Sequence, residues 1–318
     1  MRTAGIIGAS GFIGSHVTKR FLSDGFKVRA STTDLSDKAK HAHLSSLENS
    51  DNLELRELDC RDLDSTKDFV RGVEFLIHCG TPFQLDVEDP ETELLQPTIN
   101  GTTNVLQAVN EEGAVSRAVI VASVGAYNTG YPMPIPGSPA DRVWTEDDAP
   151  HFSDTDHPYA QAKYHADQAV RRFVAEDSRD GLEIVSVYPV GVMGASLSNR
   201  EDSTSSGLQF LFKNRIAPNP FVEMLYEVDA EFAIVDVRDV AEGIFQAAVR
   251  SGLHGRGYYL SSESWSVSDI SRMLNGEPPV RTARVVYSSA SAQRDLGLAF
   301  RSASQAFESY LHSAPSGT

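Results

Sequence analysis

Short apolar runs punctuate the first 190 residues: "TAGIIG" at 3–8, "KVRAS" at 27–31, "LELREL" at 53–58, "VEFLIH" at 73–78, "AVIVAS" at 118–123 and "EIVSVYP" at 183–189. Between them apolar residues recur at three- and four-residue steps, as in Phe12, Ile13, Val17, Phe21 and Leu22, the spacing of an amphipathic helix. Strands alternating with helices imply crossover connections and a parallel sheet covered on both faces. The expected fold class is therefore a doubly wound α/β parallel sheet. After Pro189 the rhythm changes: residues 195–235 read as irregular and rich in Ser and Asn, with one helix near 205–214. A helix over 237–249, a strand at "GYYLSS" (257–262), a helix near 267–274 and a last one near 302–312 complete the pattern. The expected division is a sheet domain over 1–190 that also receives about 236–250, and a smaller lobe over 191–318 packed on the open edge of the sheet. The ligand cleft is expected between the two.

Composition narrows the function classes. With 318 residues and 41% hydrophobic content, the chain can bury a large core. A formal net charge of -16 turns phosphate backbones and anionic membranes away, so neither nucleic acid nor a membrane surface is an expected partner. The N-terminus runs straight into a strand pattern without a charged-then-apolar leader, and no run approaches the ~18 apolar residues of a membrane span. A cytoplasmic location is expected. Only Cys60 and Cys79 could form a disulfide, and both lie in or beside strand-like segments, so buried thiols are the expectation.

The candidate chemistry begins at "GIIGASGFIGSH", where Gly8, Gly11 and Gly14 stand between the first strand and the first helix. Glycine there permits a tight turn and close approach of the backbone to a pyrophosphate, which then meets the amides of the helix N-terminus. This is the signature of a dinucleotide site in a Rossmann fold. The end of the second strand, "ASTTD", leaves NAD against NADP open: Thr32 and Thr33 hold the selecting region, Asp34 is either a ribose carboxylate or a helix cap, and Lys38 and Lys40 can approach a 2′-phosphate. Asp59 is either a carboxylate for the adenine amino group or another cap. Ser123 closes the fifth strand at the carboxyl edge, where ligands bind. In "HPYAQAKYHAD", Tyr159 and Lys163 share a helix face and Tyr164 does not, which pairs one phenol with an ammonium expected to lower its pKa. No H-E-x-x-H or Cys-x-x-Cys spacing supports a metal, and no G-x-S-x-G elbow supports a hydrolase.

Taken together, these segments resemble the extended short-chain dehydrogenase/reductase family, and within it the dihydroflavonol reductase and cinnamoyl-CoA reductase branch. The resemblance covers nearly the whole chain and rests on "GASGFIGSH", "GVEFLIHCGTPF", "EDPETELLQPTINGTTNVL", "VASVGAYN", "PYAQAKYHAD", "YPVGVMG" and "VDVRDVAEGI". It implies Ser123, Tyr159 and Lys163 as the catalytic serine, tyrosine and lysine, with Asn128 facing substrate. It further implies cofactor contacts from Gly8, Ser10, Gly11, Phe12, Ile13 and Gly14 in the loop, and from Thr33, Lys40, Asp59, Cys60, Gly80, Thr81, Tyr159, Lys163, Pro189 and Val192. The branch's arginine for the 2′-phosphate is replaced by Thr33 while Lys40 matches a second basic position, so the resemblance favours NADP and leaves NAD possible. The implied activity is NAD(P)H-dependent reduction of an aldehyde or ketone by a monomer or homodimer. The rivals are a nucleotide-sugar epimerase with tightly bound NAD and a catalytically silent NAD(P)-sensing protein. A sugar-nucleotide dehydratase needs an acid and base just after the serine position, and "SVGAY" offers neither.

Overall fold

The computed structural model describes residues 1–80, 88–198 and 204–313. The first half alternates as the apolar pattern requires: β1 (Thr3–Ile7), α1 (Phe12–Ser23), β2 (Lys27–Thr32), α2 (Lys38–Ser45), β3 (Leu53–Glu57), α3 (Leu63–Val70), β4 (Phe75–His78), α4 (Gln96–Glu111), β5 (Arg117–Val121), α5 (Pro158–Glu176) and β6 (Glu183–Pro189). The second half adds β7 (Gly191–Met193), α6 (Thr204–Asn214), α7 (Pro220–Glu227), β8 (Glu231–Asp236), α8 (Val237–Val249), β9 (Gly257–Leu260), β10 (Glu263–Ser266), α9 (Val267–Leu274), α10 (Ala290–Leu296) and α11 (Ala303–Ser313).

Seven parallel strands form the main sheet in the order β3-β2-β1-β4-β5-β6-β9. Because side chains alternate across a strand, each central strand feeds two cores. Phe75 and Ile77 of β4, Val119 and Val121 of β5, and Val185 and Val187 of β6 point into one apolar layer with α1 and α8. Leu76, Ala118, Ile120 and Ile184 point into the other, with residues of α3 and α4. Phe21 of α1 meets Phe245 of α8 edge-on at 5.0 Å, which fixes the returning helix against the sheet.

Two expectations need correction. The 195–235 region is more regular than its Ser and Asn content suggested: α7 and β8 occupy much of it. Asn219 caps α7 by accepting the Val222 amide, and Pro220 takes the first helical position, a start signal that the polar surroundings obscured. The strand expected in the smaller lobe also belongs elsewhere, since β9 pairs with β6 as the seventh strand of the main sheet. What the lobe owns is a three-stranded sheet, β10-β8-β7, with β10 antiparallel and β7 parallel to β8. A third apolar core, including Phe212, Leu225, Phe232, Ile270 and Phe307, packs around it. Among the described residues, no helix is long and apolar enough to cross a membrane.

Candidate active site

Strand order reverses direction at β1, which has β2 on one side and β4 on the other, and a crevice opens there at the strands' carboxyl ends. The turn out of β1 is built for close approach. Gly8 has φ +75°, and a Cβ on it would lie 2.7 Å from the backbone of Gly80 at the end of β4. A Cβ on Gly14 would lie 2.0 Å from the Gly8 carbonyl. Gly11 caps α1 without a side chain, so the amides of the first turn are left for an acceptor that is not part of the helix. Ser10, Phe12 and Ile13 flank this turn half-exposed, and Ile13 also reaches the cavity described below. These features fit a dinucleotide pyrophosphate: the cradle has the room, the donors and the helix polarity.

Around the crevice, the other expected contacts fall unevenly. Thr33 is exposed just past the end of β2, and Lys40 stands 3.5 Å from Asp37 on the surface of α2. Asp34 is not a helix cap, because its carboxylate accepts from the amide and hydroxyl of Ser36 and so closes its own turn, while Asp37 precedes α2. Asp59 is not a cap either. Asp62 caps α3, whereas Asp59 forms a bidentate pair with Arg61, whose hydrogen bonds hold its carboxyl below the ordinary range. Cys60 is packed beneath, its carbonyl held by Asn104 at 2.9 Å and its thiol pushed up to about 12 by burial. Gly80 lies against Gly8, and Thr81 falls outside the described residues.

Ser123, Tyr159 and Lys163 converge at the end of β5. Ser123 caps a short 3₁₀ turn, its hydroxyl accepting the Gly125 amide at 3.1 Å while also hydrogen-bonded to the Tyr159 phenol. Tyr159 occupies the first turn of α5. His157 caps that helix through Nδ1, which accepts the Tyr159 amide at 3.2 Å, and Pro158 presets the backbone. One turn on, the Lys163 ammonium lies 5.8 Å from the centre of the Tyr159 ring and donates to the Val121 carbonyl at 3.4 Å. Tyr164 points away and stacks on Phe152 at 4.7 Å.

The electrostatics correct one expectation. The phenol is not lowered by the ammonium: burial pushes Tyr159 up to about 12, opposed by the hydrogen bond from Ser123. Burial likewise brings Lys163 down to about 8. Desolvation outweighs the attraction expected between the pair, and the phenol keeps its proton at neutral pH.

Beside this trio lies a cavity of about 150 Å³. Its walls are Ile13, Tyr131, Pro132, Leu208, Phe221, Phe232 and the segment Pro189, Val190, Gly191, Val192 and Met193. Among the described residues no lysine, arginine or carboxylate lines it, and the polar side chains in its wall are those of Ser123, Tyr131, His157 and Tyr159. Pro189 and Val192, which the resemblance implied as cofactor neighbours, line this cavity. Asn128 does not. It is 2% exposed, with its amide nitrogen donating to the Met133 carbonyl and the Tyr287 hydroxyl and its oxygen accepting the Gly130 amide. Every polar atom of that side chain is spent inside the protein, so it does not face a substrate. The wall residues Tyr131, Phe221 and Phe232 were missed, since lone aromatics in loops and short elements carry no periodic signal.

Comparison with known proteins agrees with this geometry. The model of the NAD dependent epimerase/dehydratase family matches residues 4–260. Dihydroflavonol 4-reductase of Hordeum vulgare is 27% identical over 276 residues, 86% of this chain and 74% of that protein. Tetraketide alpha-pyrone reductase 1 of Arabidopsis thaliana is 27% identical over 97% of this chain and 94% of its own. Among solved structures, the yeast methylglyoxal/isovaleraldehyde reductase Gre2 complexed with NADPH superposes with a TM-score of 0.79 at 22% identity, covering 98% of this chain and 97% of that one. MoeE5 in complex with UDP-glucuronic acid and NAD does so with a TM-score of 0.72 at 20% identity, covering 98% of each chain. Reductases and a nucleotide-sugar protein thus share the fold.

Proposed function

This chain belongs to the NAD dependent epimerase/dehydratase family, and we propose that within it the protein is an NADP(H)-dependent reductase of uncharged aldehydes or ketones. The observation that carries this reading is the join between an apolar cavity and the Ser123, Tyr159 and Lys163 trio beside the glycine cradle. Its curated relatives include dihydroflavonol, tetraketide pyrone and cinnamoyl-CoA reductases, which supports carbonyl reduction over the rivals. Among the described residues the cavity wall carries no cation for the diphosphate of a nucleotide sugar, which favours an uncharged carbonyl compound. NADP is favoured because Gre2, a neighbour in fold, is solved with NADPH. NAD remains compatible, as Thr33 and Lys40 form no dedicated phosphate site. We place the protein in the cytoplasm, acting on small molecules as a monomer or homodimer.

When bound, the dinucleotide supplies the hydride. The chain's own residues do the rest. The first-turn amides of α1 and the glycine loop would hold the pyrophosphate, and Lys163, positively charged below about pH 8, would bond the nicotinamide ribose. The Ser123 hydroxyl orients and polarises the carbonyl oxygen. Tyr159, whose raised pKa keeps its proton in place, delivers that proton to the oxygen as the carbonyl becomes an alcohol. Positioned acid catalysis of this kind contributes ~10² to 10⁴ in rate, and orientation in the apolar cavity supplies much of the remainder.

The test is oxidation of NADPH and NADH against a panel of aldehydes, ketones and UDP-sugars, with Tyr159→Phe alongside. Stoichiometric oxidation with carbonyls, loss of at least ~10²-fold in kcat in the variant, and unchanged NADPH affinity are expected. Interconversion of UDP-sugars without net consumption of cofactor would favour the epimerase, and equal, zero turnover in both proteins would favour a sensor.

A further inference from the structure

Tyr131 lies in the turn after the 3₁₀ element of Ser123, and its two ends do different things. Its ring lines the cavity, tilted against Phe232 with centroids 5.2 Å apart and edge-on to Tyr287 at 6.0 Å. Its hydroxyl is committed elsewhere: it donates to the Ala233 carbonyl of β8 at 2.7 Å and accepts the Gly191 amide of β7 at 3.1 Å. The phenol therefore stitches two strands of the small sheet at the point where β7 leaves Pro189 and Val190. These strands already sit as close as they can, since a Cβ on Gly191 would lie 2.3 Å from the Phe232 ring and 2.8 Å from the Ala233 carbonyl.

The turn that carries Tyr131 is itself fixed by Asn128. That side chain accepts the Gly130 amide and donates to the Met133 carbonyl, closing residues 128–133 on themselves. Its second donated bond, 3.1 Å to the Tyr287 hydroxyl, anchors the turn to the C-terminal part of the chain. Three separate stretches thus meet at one ring.

We propose that Tyr131 is a specificity-determining positioning residue. Its ring is the flat wall against which the body of the substrate lies, and its hydroxyl pins the 189–193 segment that lines the same cavity. Because the hydroxyl is spent on backbone groups, Tyr131 offers substrate an aromatic face and no hydrogen bond. With Phe221 and Phe232 it makes the cavity select carbonyl compounds that carry an aromatic or other flat apolar body. The inference rests on the carbonyl-reductase reading above and deepens it.

The test compares the parent with Tyr131→Phe, Tyr131→Leu and Tyr159→Phe. It measures kcat and KM over matched aryl and alkyl ketones, NADPH affinity by fluorescence, and thermal midpoints. Tyr131→Phe keeps the ring and loses the stitch, so kcat is expected to fall about tenfold for every ketone with the aryl preference retained. Tyr131→Leu removes the wall, so KM is expected to rise about fivefold more for aryl than for alkyl ketones. A merely structural residue would shift the thermal midpoint without splitting the two series. If Tyr131→Leu fails to fold, Tyr131→Met supplies the variant without the flat wall, and the near-isosteric Tyr131→Phe tests the stitch alone. Parental kinetics in Tyr131→Phe beside an inactive Tyr159→Phe overturn this inference alone. Zero turnover of every ketone in the parent protein overturns the reductase reading and this inference with it.

Discussion

At the scale of single residues, the active-site pair behaves in a way that pairing rules alone do not foresee. A phenol one turn from an ammonium is expected to acidify, yet Tyr159 is pushed up and Lys163 is brought down, because both lose water. The direction suits a proton donor better than a proton acceptor. Reduction needs a phenol that holds its proton, and Tyr159 holds it throughout the neutral range. Lys163 then sets the alkaline limit. Its charge is present below about pH 8 and lost above, so kcat for reduction is expected to fall as pH rises through about 8. Alcohol oxidation, which needs the phenolate, should instead gain as pH rises toward about 8. Paired pH profiles of the two directions check this, and a reduction rate flat from pH 6 to 10 would refute the role given to Lys163. Asn128 carries the complementary lesson. The family resemblance implied a substrate contact, whereas its hydrogen bonds make it a brace for the turn of Tyr131.

At the scale of elements, the decisive unit is the passage from β1 into α1. Three glycines in this spacing are informative because each answers a different steric demand, and Gly14 answers the harshest. Its missing side chain leaves the helix within reach of the Gly8 carbonyl, where a Cβ would approach to 2.0 Å. Gly14→Ala must therefore displace α1 from the cradle. A loss of about 100-fold or more in NADPH affinity is expected by fluorescence titration, with most of the helical signal retained in circular dichroism, because losing one or two charge-assisted hydrogen bonds to the pyrophosphate costs about 3 kcal/mol. Parental affinity in that variant would mean that the dinucleotide binds elsewhere. The small sheet teaches the opposite point about legibility. β7 has three residues and β10 four, too few for alternation to stand out, and their pairing with β8 joins segments that are far apart in the chain.

For the molecule as a whole, two buried histidines tie stability to pH. His16 of α1 reaches across to the Ala195 carbonyl at 2.9 Å and is brought down to about 4, first by burial. His78 of β4 is 1% exposed and is brought down to about 3, again first by burial, with the Lys163 charge adding to the effect. Both are neutral in the folded protein and take up protons near pH 6.5 once unfolded. Between pH 6.5 and about 4 the unfolded chain therefore binds more protons, and stability falls as pH falls through that window. The loss is on the order of 3 kcal/mol for His16 alone, given ~1.4 kcal/mol for each pH unit. Thermal midpoints measured from pH 7 to 4.5 are expected to drop steadily, and to drop less in His16→Gln. A midpoint independent of pH over that range would show that neither histidine is held neutral.

Local pattern was sufficient for the sheet domain, because a strand buried on both faces and an amphipathic helix write themselves into consecutive residues. The turn glycines were equally legible, since backbone conformation restricts residue choice position by position. So were Tyr159 and Lys163, whose common face follows from helix spacing. Everything that depends on water being excluded, or on distant segments meeting, was decided only by the tertiary structure. That includes the raised phenol and lowered ammonium, the assignment of β9 to the main sheet, the brace made by Asn128, and the aromatic wall of Tyr131, Phe221 and Phe232. Burial and long-range contact are properties of the packed chain, and no window of neighbouring residues encodes them.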